Sequence, residues 1–364
     1  MTIAEQLLEW YDENRRDLPW RRDVDPYRVW VSEIMLQQTR VETVKPYFDR
    51  WLERFPDVHT LAEAGEEEVL RYWQGLGYYS RARNLHKGVR EVVTSYGGQI
   101  PDTPEDISKL SGVGEYTAGA ILSIAYNQRQ PAVDGNVLRV FSRLFSITGD
   151  ITRLQTKKAI TKVVEQELPE DRPGDFNQAI MDLGSSICIP KQPRCDRCPV
   201  VGKCLAYQQG CQDALPVRKK STPPVEVLLV AAVIEVEGRF LLRRRPPQGL
   251  LASMWEFPAL EVADYGGGLM ELEALVAEAG LVVKAELQPL VQLVHTFSHR
   301  QWFIAFYRCA VLEMTVSSDL PGMVWRSPSD WDELPFAGPH QKVAELLACQ
   351  YDGSMNRYVQ GILG

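Results

Sequence analysis

The sequence predicts a multidomain protein, an all-helical domain followed by an α+β domain, and three observations carry that prediction. Up to about residue 211, segments rich in Leu, Ala, Glu and Arg recur at helical spacing between short Pro and Gly breaks. The stretch DALPVRKKSTPPVEV, proline-rich and basic, then reads as an extended linker over 212–224. Over 225–364, β-branched apolar runs alternate with turn residues. A chain of 364 residues holds about two domains on the rough scale of 150 residues each.

The first segment, MTIAEQLLEWYDENRRDLPW, is amphipathic and carries acids, without the basic start and apolar core of a secretory signal. No apolar run approaches the roughly 18 residues of a membrane helix. The expectation is a cytoplasmic protein with no membrane partner. Net charge of −8 argues against indiscriminate nucleic-acid binding. Any DNA contact therefore has to rest on local features such as Arg15, Arg16, Arg21, Arg22, Arg81 and Arg83, which are equally readable as solvated surface.

The most informative local pattern lies at 104–126. Thr103 is placed as an N-cap with Pro104 at the first helical position and Asp106 three residues on, which predicts a helix over about 104–110. Gly112 and Gly114 are expected to turn the chain through positive φ. Ala118, Ile121, Leu122 and Ala125 then recur at helical spacing, so a second helix starts after Gly114 with its first amides free. Free amides at a helix start attract phosphate, although an ordinary αα-hairpin would look the same. Asp134 follows in AVDGN, ahead of the helical run Val137 to Leu144. It reads as a carboxylate beside the hairpin, as an N-cap, or as both.

Four cysteines close the helical domain, Cys188, Cys195, Cys198 and Cys204, spaced C-x6-C-x2-C-x5-C. Four thiols within 17 residues are able to wrap one metal centre, and on spacing alone zinc is the generic reading. Cys309 and Cys349 read as small buried hydrophobes. An odd total of seven cysteines fits a reducing compartment. In the second domain, strands are expected at 225–236 and 240–245 around the turn residues Glu237 and Gly238. A further strand pair is expected at 288–296 and 301–312, with helices near 268–279 and 339–349.

Taken together, SEIMLQQT, GLGYYSRARN, LSGVGEYTA, VDGNVLRV and the cysteine spacing resemble the helix-hairpin-helix DNA glycosylase superfamily, and within it the MutY-type adenine DNA glycosylases. The resemblance implies a helical catalytic domain over 1–211 and a Nudix-like domain that reads 8-oxoguanine. It also implies a 4Fe-4S cluster on the four cysteines, reversing the zinc reading. The implied partner is double-stranded DNA carrying adenine opposite 8-oxoguanine or guanine, the implied state a monomer, and the implied location a bacterial-type nucleoid. Such an enzyme flips the adenine out and hydrolyses its glycosidic bond.

That chemistry is intelligible in the residues present. Glycoside hydrolysis divides its work between a proton donor and a carboxylate that faces the cationic sugar. Glu33, set among large apolar residues in VWVSEIML, is the acid by resemblance, and desolvation would keep it protonated near neutral pH. On its own it is also readable as a helical acid on a solvated face. Asp134 is expected to stay ionised as stabiliser or transient nucleophile, oriented by Asn136. Tyr116 stands where related enzymes that also cut the backbone carry an imine-forming lysine, which implies a monofunctional glycosylase with at most weak strand nicking.

The resemblance further assigns Gln38, Thr39, Leu76 and Tyr78 to the 8-oxoguanine, with Tyr78 intercalating. Trp20, Arg21 and Gln178 are assigned to the adenine pocket, Gln178 standing where some relatives carry an acid. Gly112, Val113 and Gly114 are assigned to DNA phosphate. Phe297, Ser298 and His299 match the family segment that reads 8-oxoguanine, although His299 alone reads as a surface histidine in a turn. LEALVAEAGL keeps only Glu278 of the acidic set a Nudix hydrolase needs for cations, so a binding role is expected there rather than hydrolysis. Two alternatives from other classes stay open: a glycosylase for thymine or an oxidised pyrimidine, and a non-catalytic DNA-binding or metal-regulatory module.

Overall fold

The computed structural model describes residues 1–219, 222–314 and 322–351. The chain divides into two compact units, Met1–Ala64 with Ser80–Ser221, and Gly65–Tyr79 with the chain from Thr222 onward. The second unit therefore takes in a short segment from the middle of the helical sequence, the helix Glu66–Trp73 and the turn after it.

In the first unit the main helices are α1 (Ile3–Asn14), α2 (Pro26–Leu36), α3 (Val41–Arg54), α4 (Ser80–Tyr96), α5 (Glu115–Tyr126), α6 (Gly135–Leu144), α7 (Leu154–Glu167) and α8 (Pro173–Ser186). Local chemistry sets their starts. Thr2 and Glu5 form a capping box at α1, and Asp25 accepts the Arg28 amide at 2.9 Å ahead of Pro26 at the start of α2. Apolar faces of α1, α6, α7 and α8 close one core around Leu7, Tyr11, Phe141, Ile160, Phe176 and Ile180.

The hairpin differs from expectation in two ways. Its first helix is the single turn Pro104–Ile107, because beyond it the backbone bonds tighten to three-residue spacing, Lys109 to Asp106 and Leu110 to Ile107, rather than continuing as α-helix to residue 110. Gly112 does take φ of +81°, but Gly114 is the N-cap of α5 at φ −95°, an extended conformation any residue adopts. The requirement for glycine is therefore at 112, where an added Cβ would also lie 2.8 Å from the Cβ of Asn84.

Within the second unit, β1 (Val225–Val236) is the central strand, and its run of six fully buried residues has a packed layer on each face. Glu237 and Gly238, at φ +51° and +74°, turn it into β2 (Arg239–Arg244), as the sequence predicts. Along its length β1 pairs antiparallel with Ala259–Val262 and parallel with Arg300–Met314, and the latter strand also takes Leu281–Ala285 and Val291–Thr296 on its other edge. The helices Tyr265–Ala277 and Gly338–Tyr351 cover the two faces. Between the layers Glu256, fully buried, accepts from Arg243 and Arg245 at 2.6 Å each. Burial pushes the neighbouring His340 down to about 4, so it stays neutral and accepts the Phe257 amide on Nδ1.

One close approach in the first unit positions everything that follows. A Cβ at Gly119 of α5 would sit 2.1 Å from the Pro131 carbonyl oxygen, so glycine is what lets the segment leading to Asp134 lie against that helix. Asn177 of α8, fully buried, fastens the same segment: its Oδ1 accepts from the Ala132 amide at 3.2 Å, and its Nδ2 donates to the Gln130 carbonyl and to Ser123 Oγ at 2.9 Å each. Gly119→Ala should destabilise the helical unit by roughly 2–3 kcal/mol through overpacking, seen as a lower thermal midpoint in the circular dichroism at 222 nm. A midpoint equal to that of the unaltered chain would refute the close-approach argument.

Candidate active site

A cleft of about 630 Å³ opens in the helical unit, and its lining includes Trp20, Arg21, Glu33, Gln38, Thr39, Tyr116, Asp134, Asn136 and Gln178. Five separate stretches of sequence thus converge on one concave surface.

Glu33 lies on the inner face of α2 and is 6% exposed. Burial raises its carboxyl to about 7, and the Tyr116 hydroxyl, which donates to Glu33 Oε2, opposes that rise. Asp134 repels the ionised form as well, while Arg21 favours it. Tyr116 is the second residue of α5, so the turn after Gly112 fixes where its hydroxyl falls. Burial and the adjacent carboxylates hold the phenol well above its usual value, so it remains a donor. Of the two readings left open by the sequence, the solvated helical acid does not hold for Glu33.

Asp134 is the N-cap of α6, its Oδ1 accepting the Val137 amide at 2.8 Å. Asn136 Nδ2 donates to Oδ2 at 2.7 Å. Burial raises this carboxyl above the ordinary aspartate value, and these two donors act against the rise. Capping and placement in the cleft are therefore one arrangement. Asn136 is itself held by Arg139, whose Nη2 donates to Asn136 Oδ1 at 2.8 Å and whose Nε donates to the Cys188 carbonyl at 2.8 Å. Arg139 and Asn177 went unnoticed in the sequence, since a lone arginine and a lone asparagine carry no local signal of distant partners.

The basic residues offered for DNA prove to be largely engaged within the unit. Arg21 grips Asp182 through two bonds of 2.7 and 3.1 Å, and Arg16 donates to the same carboxylate, Nε at 2.9 Å. Asp182 is buried on α8, 161 residues from Arg21. Arg22 pairs with Asp17, and Arg81 turns inward to main-chain carbonyls. Trp20 is buried edge-on to Phe48 with ring centroids 5.5 Å apart. Gln38 is exposed at φ +58°, and Thr39 is half-buried.

At the hairpin, Val113 is buried while Gly112 and Gly114 are exposed. Ser111 ties the turn to α4, its amide and hydroxyl each donating to Glu91 at 2.7 Å.

Cys188, Cys195, Cys198 and Cys204 line one small cavity walled by Val140, Leu144, Leu183 and Val200. Burial pushes the Cys198 thiol up to about 12 and raises Cys195 and Cys204, with the neighbouring sulfurs adding to each rise. Arg143, fully buried, donates to Cys188 Sγ at 3.3 Å and to the Ile189 and Pro190 carbonyls at 2.8 and 3.0 Å. Among the described residues no group of three or more His, Cys, Asp or Glu is arranged as around a metal ion.

In the second unit, Tyr78 is exposed at φ +48° and its hydroxyl lies 3.2 Å from Ser298 Oγ. Leu76 is buried nearby in sequence. Phe297 packs between His295 and Trp302, at centroid distances of 4.5 and 4.9 Å, which leaves Ser298 and His299 exposed at the turn between two strands. Glu278 stands exposed at the end of the Tyr265–Ala277 helix.

A family model described as the HhH-GPD superfamily of base excision DNA repair proteins matches residues 31–166, and a NUDIX domain model matches residues 229–346. The adenine DNA glycosylase of Mus musculus is 39% identical over 381 residues, covering 90% of this chain and 73% of its own length. That of Homo sapiens is 36% identical over 405 residues, covering 96% and 74%. Among solved structures, that of a thermostable thymine-DNA glycosylase aligns with a TM-score of 0.53 at 30% identity, over 57% of this chain and 95% of that one.

Because the Tyr116 hydroxyl stabilises the ionised form of Glu33, Tyr116→Phe should move the Glu33 titration upward from about 7. Difference infrared spectroscopy of the protonated carboxyl band across pH 5 to roughly 9 measures it. A titration that stays in place, or moves down, contradicts the assigned bond.

Proposed function

We propose, since this chain belongs to the adenine DNA glycosylase family, that it excises adenine paired with 8-oxoguanine or guanine in double-stranded DNA by hydrolysis alone. The observation that carries this reading is the pair of carboxyl groups in one cleft with unlike surroundings. Glu33 is desolvated and holds its proton near neutral pH, while Asp134 is furnished with two donors that favour its anion.

With adenine flipped into the cleft, Glu33 gives its proton to the ring and then assists the attacking water. Asp134 faces the cationic sugar, and Asn136 fixes which lone pairs it offers. Tyr116 orients Glu33 and has no amine with which to form an imine. Trp20, Arg21 and Gln178 line the adenine side. Gln38 and Thr39 of the first unit contact the opposite base; of the second unit, Leu76 and Tyr78 contact it with Tyr78 entering the stack, and Phe297, Ser298 and His299 supply the check for 8-oxoguanine. The Tyr78–Ser298 contact supports placing the wedge and that segment on one surface of the second unit. The amides from Gly112 to Gly114 take a DNA phosphate.

Cys188, Cys195, Cys198 and Cys204 would hold a 4Fe-4S cluster. Four thiols around one apolar cavity, where burial raises Cys195, Cys198 and Cys204, are a donor set whose ionised form a polycationic centre stabilises. Bound there, the cluster would crosslink the loop from residue 188 to 204 and add no group to the cleft.

Single-turnover base release on duplexes carrying adenine opposite 8-oxoguanine, guanine or cytosine, and thymine opposite guanine, tests the reading. Adenine opposite 8-oxoguanine should react fastest, and preferential release of thymine would overturn it. Asp134→Asn should slow release at least a hundredfold, the order expected for loss of a group acting on the transition state, with much of the binding retained. The rate for the unaltered chain should decline as pH rises through about 7, because the proton Glu33 donates is lost there. Borohydride should trap little covalent complex. The purified protein should be yellow-brown with iron and acid-labile sulfide, and a colourless protein with one zinc would sink the cluster.

A further inference from the structure

Arg81 is the first basic residue of α4 and was placed by the sequence among groups available to DNA. Its guanidinium is instead spent on the end of α2. Nη1 donates to the carbonyls of Ile34, Met35 and Gln37 at 2.7, 3.0 and 2.5 Å, and Nη2 reaches Thr39 Oγ1 at 3.3 Å. Ile34 and Met35 lie in the last turn of α2, where a helix leaves its carbonyls without amide partners and its dipole favours a cation. Gln37 and Thr39 flank Gln38, which holds the left-handed backbone that side-chain-bearing residues avoid. One planar group thus bridges the helix that carries Glu33 and the strained turn that carries Gln38 and Thr39.

We propose that Arg81 is a positioning residue for discrimination of the base opposite adenine, fixing the Gln37–Gln38–Thr39 turn against the end of the catalytic helix. This deepens the function proposed above and rests on it, in that Gln38 and Thr39 are taken to face that base. The turn depends on Arg81 more than Glu33 does. Glu33 is also held by Tyr116 and by the packing of α2 on α5, whereas Gln38 is exposed and its conformation is costly. Lysine is a poor substitute, because an ammonium is a point donor and cannot span several carbonyls and a hydroxyl from one plane.

The test uses the full chain with Arg81→Lys and Arg81→Ala, measuring single-turnover adenine release opposite 8-oxoguanine and opposite guanine, with thermal midpoints taken in parallel. The ratio of the two rates should fall roughly tenfold in Arg81→Lys, the factor expected for loss of one charge-assisted hydrogen bond, and further in Arg81→Ala. Added guanidinium at low millimolar concentration should recover part of the ratio in Arg81→Ala and none in Arg81→Lys. If both substrates slow equally, so that the ratio of the unaltered chain survives in both variants, the proposal is overturned while the proposed function stands. An unaltered chain with no preference for 8-oxoguanine overturns both.

Discussion

Glu33 keeps its carboxyl out of water because α2 carries it on an inward face between Trp30 and Met35, and the cost of that placement holds its proton near neutral pH, as the proposed donor role requires. A carboxyl left in solvent would be ionised at neutral pH and could donate nothing. Burial alone would hold the proton too firmly, and the Tyr116 hydroxyl moderates it. The rest of the cleft is organised around this balance. Gly112 fixes the start of α5 and so the position of Tyr116, and Gly119 in the same helix admits the segment that ends in Asp134. One helix thereby spaces both carboxyl groups, and a small shift in α5 would alter acid and carboxylate together.

Asp134 answers the opposite need. It caps a helix, so a main-chain amide and the dipole of α6 favour its anion, and Asn136 uses the remaining oxygen. Support continues outward through Arg139 to the carbonyl of Cys188, so three successive hydrogen bonds join the cysteine loop to the carboxylate. Arg143, one turn along α6, binds the same loop from beneath. The loop lies outside the cleft, but its main chain is part of the scaffold that orients Asp134.

Much of this was legible in the sequence because the signals are local. Caps, proline starts, the Glu237–Gly238 turn and the strand Val225–Val236 are written in neighbouring residues, and Glu33, Tyr116, Asn136 and Asp134 stand in short motifs that line one cleft. What was hidden depends on distant partners. Arg16 and Arg21 look like a basic surface until Asp182 is brought under them, and Arg81 looks free until α2 ends beneath it. Gly114 was misjudged because glycine at an N-cap needs no positive φ. The strands Trp255–Glu256, Ala259–Val262 and Met323–Arg326 are short and carry no apolar–polar alternation over their length, and in Leu281–Ala285 the exposed Val282 hides the alternation that its burial shows, so register with longer strands is what defines them. Gly65–Tyr79 groups with the second unit although its sequence is helical and lies within the first, a long-range association that neighbouring residues do not encode.

The fate of the arginines bears on how a chain of net charge −8 handles a polyanion. Arg16 and Arg21 share the buried carboxylate of Asp182, so two cations and one anion leave a net positive wall beside the cleft whose geometry is fixed by bidentate bonds. A fixed, partly desolvated cation acts on a bound nucleotide without first surrendering a shell of water or the entropy of a free side chain. It also acts on Glu33, whose ionised form Arg21 favours. The arrangement fixes two cations beside the cleft, yet leaves Glu33 protonated near neutral pH.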